Sequence, residues 1–169
     1  MMMFMENKKI KNATTCSIGN LTFKSKLEKM AYTELTTLGL NPQYEPITFC
    51  IWNGFSPITP FYDKESDAQY NRRKGKDKSP RKLVLKDTKI QPIHYTPDIY
   101  FKYKNIDVWI EMKSIENDVF YIKKKMFRKY LDDLYTSSRQ KSIYFEVYTK
   151  SQLLQAVEIV KKYAEEKFI

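Results

Sequence analysis

Asp98, Glu111 and Lys113 are the residues of this sequence whose types and spacing are best suited to chemistry. Two carboxylates that lie close together repel each other unless a proton or a cation lies between them. Mg²⁺ prefers oxygen ligands and typically takes one or two carboxylates together with waters and phosphate oxygens. A lysine beside such a pair can stabilise negative charge on a phosphate or help to orient and deprotonate an attacking water. If the fold brings them together, these three residues predict a divalent-metal site for phosphate chemistry.

A β-hairpin with its turn at Lys104 and Asn105 would bring the three residues together. Such a turn sets Asp98 directly opposite Glu111, and Lys113 shares their face because side chains alternate along a strand. Lys-Asn is not the most favoured pair for a tight turn, which usually takes glycine at a positive φ, so a solvated strand face is the alternative. The other face supports the register because its residues are apolar: Ile99, Phe101, Tyr103, Ile106, Val108, Ile110 and Met112.

Three helices and further strands are predicted around this hairpin, whose own strands cover about 93–103 and 106–113. Ser25 is placed to cap a helix that ends at Gly39, a second helix covers about 118–135, and a third begins at Ser151. Runs of β-branched and aromatic residues predict strands over 44–52 and 142–148. The order α-β-β-β-α-β-α predicts an α/β fold. The expected apolar faces are Leu27, Met30, Ala31, Leu35 and Leu38; Val119, Ile122, Met126, Tyr130 and Leu134; and Leu153, Leu154, Val157, Val160 and Ala164.

The length of 169 residues suits a single domain. Residues 1–20 are predicted to form a flexible polar lead-in, and residues 21–169 are predicted to form the domain. Residues 53–82 interrupt the domain as an insert, with several glycines and prolines, few aliphatic residues and the basic run NRRKGKDKSPRK. We expect a long irregular loop there, and such a loop inside a compact domain usually signals function or disorder.

The excess of basic residues indicates a polyanionic partner. The chain has 30 Lys and Arg against 20 Asp and Glu, a formal charge of +10. Nucleic acid and anionic membrane surfaces are therefore the partners to consider first. An ordinary solvated face is the alternative for the cluster on the second helix. Neither a helix-turn-helix nor a zinc-finger pattern is found, so recognition of DNA structure is expected rather than of base sequence. The candidate DNA-binding residues are Arg72, Arg73, Lys74, Lys76, Lys78, Arg81 and Lys82 in the insert, and Lys123, Lys124, Lys125, Arg128 and Lys129 on the helix.

Other classes of protein are disfavoured. No apolar segment is long enough for a signal peptide core or a bilayer span, so no membrane partner is expected. Cys16 and Cys50 lack a CxxC spacing, which disfavours a zinc knuckle and a disulfide-linked partner and favours reduced thiols in the cytoplasm. His94 is the only histidine, which disfavours a Ser-His-Asp mechanism.

The candidate site resembles the signature of the PD-(D/E)xK nuclease superfamily, an Asp followed by Glu-x-Lys on a hairpin. Here the signature is Pro97-Asp98 followed by Glu111-Met112-Lys113. The segments LTFKSKLEKMAYTEL, HYTPDIYF, WIEMKS and YIKKKMF are similar to a phage-encoded branch related to Holliday-junction resolvases. The resemblance covers most of residues 21–163 but not the insert at 53–82. It implies a restriction-endonuclease-like core, a mixed central β-sheet flanked by helices.

The resemblance also implies hydrolysis of phosphodiester bonds in DNA with Mg²⁺ or Mn²⁺. In that case Asp98 and Glu111 bind the metal with the help of the Met112 carbonyl, and Lys113 acts on water or phosphate. Many members carry a further Glu on the first helix, which here is Glu28. Glu28 could instead form a capping box with Ser25, three residues before it. Glu45 is then the reserve candidate for the further carboxylate.

The implied substrate is branched DNA such as a Holliday junction, in recombination or packaging. The implied assembly is a homodimer, because cutting a symmetric junction calls for two active sites. For a phage-encoded protein, the location is the cytoplasm of the host cell. Two alternatives stay open: a restriction, homing or transposon-end nuclease on the same fold, and a catalytically inactive DNA-binding module whose affinity comes from the two basic clusters.

Overall fold

The computed structural model describes residues 14–77, 79–115 and 117–166. The chain divides into two compact units: unit 1 runs up to Ile51 and continues from His94, and unit 2 is Trp52–Ile93. In chain order the elements are β1 (Cys16–Ile18), β2 (Leu21–Phe23), α1 (Lys26–Thr37), β3 (Gln43–Tyr44), β4 (Phe49–Trp52), β5 (Tyr62–Lys64), α2 (Asp67–Lys74), β6 (Leu83–Leu85), β7 (Ile93–Tyr95), β8 (Ile99–Tyr103), β9 (Ile106–Met112), α3 (Asp118–Ser138), β10 (Lys141–Val147) and α4 (Lys150–Glu166). Within the described ranges, no helix has the length and apolar content that crossing a bilayer requires.

A four-stranded mixed sheet forms the centre of unit 1. Its strand order is β10-β9-β8-β3, with β8 antiparallel to β9 and β10 parallel to β9. A parallel pair needs a crossover connection, which α3 supplies between β9 and β10. The predicted α/β class with a mixed central sheet is therefore confirmed.

The hairpin of β8 and β9 has the predicted register. Tyr103 pairs with Ile106, and the pairing continues without a break to Ile99 opposite Ile110. Lys104 adopts the positive φ that a two-residue turn requires, at 52°. The alternation of apolar residues was therefore sufficient to predict the register, although the turn contains no glycine.

Both faces of the sheet are covered, and β9 is buried along its whole length. On one face, the apolar residues predicted to share the hairpin's core side pack with residues of α1 and α4. On the other face, a second core joins the sheet to α3. The side of the hairpin that carries Asp98 and Glu111 is therefore a packed face along most of its length. The buried members of this second core are Tyr95, Trp109, Phe120, Phe127 and Leu131.

The buried face of α3 is shifted from the predicted one: Tyr130 packs against the second core as predicted, but the buried side chains are others. Phe120, Phe127 and Leu131 are buried, whereas Val119 and Ile122 are 53% and 57% exposed. The prediction was wrong because the buried stripe is interrupted by a cation at position 124, which hides its apolar periodicity. That cation lies beside an aromatic ring, with its Nζ 5.4 Å from the Phe120 centroid.

Two predicted strands are each divided in the structure. The strand predicted over 44–52 is split into β3 and β4, with Pro46 between them, and the strand predicted over 93–103 is split into β7 and β8 around Pro97. Proline has no N–H to donate to a ladder, which explains both interruptions.

Two further predictions about element ends also need correction. The last helix begins at Lys150 rather than at a Ser151 cap, because the Thr149 hydroxyl accepts the N–H of Gln152 at 3.2 Å. Part of the predicted flexible lead-in, Cys16–Ile18, pairs with β2 as an antiparallel hairpin. The lead-in before residue 14 lies outside the described residues.

Unit 2 has regular structure where a long irregular loop was predicted. β5 and β6 pair as an antiparallel ladder, and α2 begins with a capping box formed by Ser66 and Gln69. The carboxylate of Glu65 accepts hydrogen bonds from the Arg73 guanidinium and from the backbone N–H of Lys82, and the Arg73 bond holds the pKa of Glu65 below its usual range. Because polar contacts dominate this unit, apolar periodicity could not reveal it.

Candidate active site

Asp98 lies at the start of β8, where the hairpin begins. Its side chain is 8% exposed, and its Oδ2 accepts the backbone N–H of Met112 at 2.7 Å. Burial raises the pKa of Asp98 well above its usual range, and the negative charges of Glu111 and Glu28 raise it further. The structure thus brings these three predicted carboxylates within electrostatic reach of one another.

Glu111 lies on β9 with 3% of its surface exposed. Its Oε2 accepts the hydroxyl of Tyr95 at 2.6 Å, and its Oε1 forms an ion pair with the Nζ of Lys113 at 2.5 Å. Burial raises the pKa of Glu111, while the charge of Lys113 opposes that shift. The Lys113 Nζ also lies 4.2 Å from the centroid of the Phe120 ring. Lys113 therefore lies beside the carboxylate pair, as its position two residues after Glu111 predicts.

Glu28 lies in the first turn of α1, which Ser25 caps, and takes part in the acidic cluster. Its backbone N–H donates to Ser25 Oγ at 3.2 Å, and its Oε2 accepts the backbone N–H of Lys24 at 3.0 Å and the hydroxyl of Tyr44 at 2.6 Å. Its charge nevertheless acts on Asp98. Of the predicted capping box, the bond to the Ser25 side chain is therefore present, while the Glu28 carboxylate accepts from Lys24 and Tyr44.

Glu45, the reserve candidate, forms an ion pair with Lys24. Its backbone N–H donates to the carbonyl oxygen of Asp98 at 2.8 Å, and its φ is positive at 44°. The backbone of Glu45 thus helps to hold the strand end that carries Asp98, while its carboxylate is engaged by a neighbouring cation.

Three residues of the site were not predicted. Tyr95 donates to Glu111, so the contact of 2.9 Å between the Tyr95 and Tyr144 hydroxyls has Tyr144 as its donor. Glu146 pairs in register with Glu111 on the neighbouring parallel strand, so both side chains leave the same face. The spacing of Tyr144 and Glu146 along their strand was a usable signal, but the parallel register that brings them to the site was not.

The donor set fits a hard divalent cation. Among the described residues, no group of three or more His, Cys, Asp or Glu side chains could hold a metal ion. Mg²⁺ needs no such group, since one or two carboxylates with waters and phosphate oxygens are its usual ligands. Asp98 and Glu111 meet that requirement, and their burial creates the demand for a positive charge. Met112 follows Glu111 in the chain, and the role of its carbonyl as a ligand stays a prediction.

The basic cluster predicted on α3 is not a single exposed face. Lys124 is 16% exposed and forms an ion pair of 2.8 Å with Glu146. Lys129 forms an ion pair with Asp133 on the helix surface. Lys124 is therefore engaged by Glu146 on β10 in the free protein, and its DNA contact stays a prediction. The remaining cations of the cluster are at least partly exposed: Lys123, Lys125 and Arg128.

The basic cluster predicted in the insert lies in unit 2, and several of its members form ion pairs within that unit. Arg73 is 18% exposed and forms an ion pair with Glu65, and its DNA contact stays a prediction. Arg81 and Lys82 pair with Asp67 and Asp77 respectively. Arg72, Lys74 and Lys76 are exposed, as are Arg81 and Lys82, and Lys78 lies outside the described residues.

Comparisons with protein-family models, with curated proteins and with solved structures find no match to this chain. The functional argument therefore depends on the chemistry of the site itself.

Removing the charge of Asp98 is expected to stabilise the metal-free protein at neutral pH. The pKa of Asp98 is raised in the folded state, so its contribution to stability is largest when it is protonated and is lost as the pH rises through the folded pKa. For Asp98→Asn, the gain in free energy of unfolding should be absent below about pH 4, the ordinary pKa of an aspartate, and should grow above it. Urea unfolding in EDTA across this range measures the difference, and an Asn variant less stable than the native chain at pH 7 would contradict the prediction.

Tyr95→Phe is expected to weaken metal binding because it removes the hydroxyl that orients Glu111. Losing such a partner of a metal ligand typically costs about 10- to 100-fold in metal affinity. Calorimetric titration with Mn²⁺ measures this directly, without requiring activity. Tyr100→Phe is the matched control, since its hydroxyl donates to Asp107 at 2.8 Å instead. Equal affinities in the two variants would show that Tyr95 does not position Glu111.

Proposed function

We propose that this chain is a metal-dependent DNA endonuclease of the PD-(D/E)xK type, with a restriction-endonuclease-like core. One observation carries the proposal: Asp98 and Glu111 are both buried at the open end of a hairpin, with Lys113 in contact with one of them. Burying two carboxylates beside a single cation is costly, so their presence together favours a functional role. The resemblance of the signature residues agrees with this assignment.

The side chains of the site divide the work of hydrolysis between them. A divalent cation, when bound, supplies a Lewis acid for the phosphate and lowers the pKa of a coordinated water. Asp98 and Glu111 would hold that cation, and Tyr95 fixes the orientation of Glu111 through its hydroxyl. The ammonium of Lys113 lies beside Glu111, where it would contact a phosphate oxygen or the attacking water.

We propose DNA as the substrate because the chain carries a formal charge of +10. Without a recognisable base-reading motif, a branched structure such as a four-way junction is the preferred target. Cutting a symmetric junction on both sides needs two active sites, so the proposal includes a homodimer.

The test is cleavage of labelled four-way junction, flap and linear duplex DNA with Mg²⁺, Mn²⁺ or EDTA. We expect cutting with either metal, none in EDTA, and a preference for the junction. If no substrate is cut with either metal, the enzyme proposal fails and a DNA-binding module remains. Equal cutting of junction and linear duplex contradicts the junction preference alone, and light scattering of the free protein tests the dimer.

Neutralising Arg72 and Lys74 with glutamine is expected to flatten the salt dependence of DNA binding. Each lost phosphate contact should reduce the slope of log affinity against log salt by about one unit. The exposed pair is chosen because Arg73, between them, is engaged by Glu65. Fluorescence anisotropy with duplex DNA in EDTA, at several salt concentrations, measures the slope. An unchanged slope would remove these two residues from the DNA-binding surface.

A further inference from the structure

The β5–β6 ladder of unit 2 exposes an apolar face. Tyr62 pairs with Leu85, and Lys64 pairs with Leu83, so these four side chains share one face. Tyr62, Leu83 and Leu85 are 57%, 72% and 51% exposed. Antiparallel sheets usually pack their apolar face on a core and leave the polar face to water.

The opposite face of the ladder is mixed in polarity. It carries Asp63 opposite Val84, and Glu65 follows in the same alternation. Among the described residues of unit 2, which are all but Lys78, Glu65 alone is buried, and it is held by Arg73. Polar contacts therefore hold this unit together while apolar side chains stay uncovered. A contiguous exposed apolar face of this kind marks an interaction surface.

The charge of unit 2 restricts what can cover that face. Residues 52–93 contain ten Lys and Arg against five Asp and Glu. A second copy of this unit would bring two like charges together, which opposes association. A basic unit attracts anionic partners, so an anionic occupant that also presents apolar surfaces fits this face best. An unpaired DNA strand meets both conditions, because its phosphates are charged and its base faces are free to stack.

We propose that the exposed face formed by Tyr62, Leu83 and Leu85 binds the unpaired bases of single-stranded DNA. Lys64, at the end of the same face, is placed to contact the phosphate backbone. In taking DNA as the polymer, this inference rests on the proposed function. It adds a reason for a preference for branched or frayed substrates, because duplex DNA keeps its base faces stacked inside the helix.

The experiment measures binding in EDTA with every chain also carrying Asp98→Asn, so that no cleavage occurs. The probes are a fluorescent oligothymidylate and a duplex of the same length. Leu83→Thr with Leu85→Thr removes apolar surface while keeping residues that favour strands. We expect at least about tenfold weaker binding of the single strand, because two apolar side chains that the bases would cover are lost, and unchanged binding of the duplex. The salt slope should stay the same, because apolar contacts release no counterions.

Ile58→Thr is the matched control. Ile58 is 98% exposed in unit 2 and lies outside the ladder, so its replacement should change neither affinity. Tyr62→Thr, as a single change, repeats the test if the double variant lowers the melting temperature of the protein. Unchanged single-strand affinity, or an equal loss on duplex, overturns the proposal.

A bilayer is the other surface that is both anionic and apolar, and a parallel titration separates it. Vesicles that contain phosphatidylserine should bind equally to the native and the double-variant chains. If the double variant loses vesicle binding and keeps oligothymidylate binding, the face belongs to a membrane and the proposal is overturned. Failure of the nuclease function would instead appear as absence of metal-dependent cutting, which leaves these binding measurements unaffected.

Discussion

Asp98→Asn is expected to reduce metal-dependent DNA cleavage by about a thousandfold, the rate equivalent of several kcal/mol of lost metal-assisted stabilisation. Asparagine keeps the size of the side chain, and its carbonyl oxygen can still accept the N–H of Met112. The substitution therefore removes the negative charge and one metal ligand without opening the hairpin. Single-turnover cleavage of a labelled junction with saturating Mg²⁺ measures the effect.

Asp107→Asn is the matched control for this experiment. Asp107 is also a buried aspartate on the hairpin, 4% exposed, and its carboxylate accepts the hydroxyl of Tyr100. It lies at the opposite end of β9 from Glu111, outside the candidate site. We expect Asp107→Asn to keep its cleavage rate and Asp98→Asn to lose it. Similar rates in the two variants would show that the site has been placed at the wrong carboxylates.

The centre of the site was predictable because it depends on local geometry. The turn at Lys104 is short, and the apolar residues on either side alternate without interruption, so only one register buries them all. That register fixes Asp98 and Glu111 on one face. The helix cap at Ser25 was predictable for the same reason, since its contacts span a few residues.

The rest of the site depends on contacts between distant segments, which local patterns do not encode. Glu146 reaches Glu111 only because β10 runs parallel to β9 after a crossover. Lys124 then pairs with Glu146, and this pairing allows a lysine within the buried stripe of α3. Apolar periodicity does not identify a stripe that contains a lysine, so it predicted the neighbouring stripe of α3 as the buried one. Unit 2 was missed for a related reason, since Glu65 and its cation replace the apolar core that such a search detects.

Phe127→Ala is expected to destabilise unit 1 by about 3–5 kcal/mol, the usual cost of emptying a buried aromatic site. Phe127 is fully buried, and its ring centroid lies 4.8 Å from that of Tyr95 and 5.2 Å from that of Phe49. Domains of this size are stable by about 5–15 kcal/mol, so the loss is a large fraction of the total. Urea unfolding followed by tryptophan fluorescence measures it, since Trp109 lies in the same core.

Ile122→Ala, on the same helix, decides which face of α3 is buried. Ile122 is 57% exposed, so truncating it should change the free energy of unfolding by about 0.5 kcal/mol or less. If Ile122→Ala lowers the free energy of unfolding as much as Phe127→Ala does, the buried face of α3 is the one predicted from the sequence. The two substitutions should also differ in their effect on the site. The Phe127 ring packs against Tyr95, whose hydroxyl donates to Glu111. Below its melting temperature, Phe127→Ala should therefore weaken Mn²⁺ binding in the same direction as Tyr95→Phe, whereas Ile122→Ala should leave it unchanged.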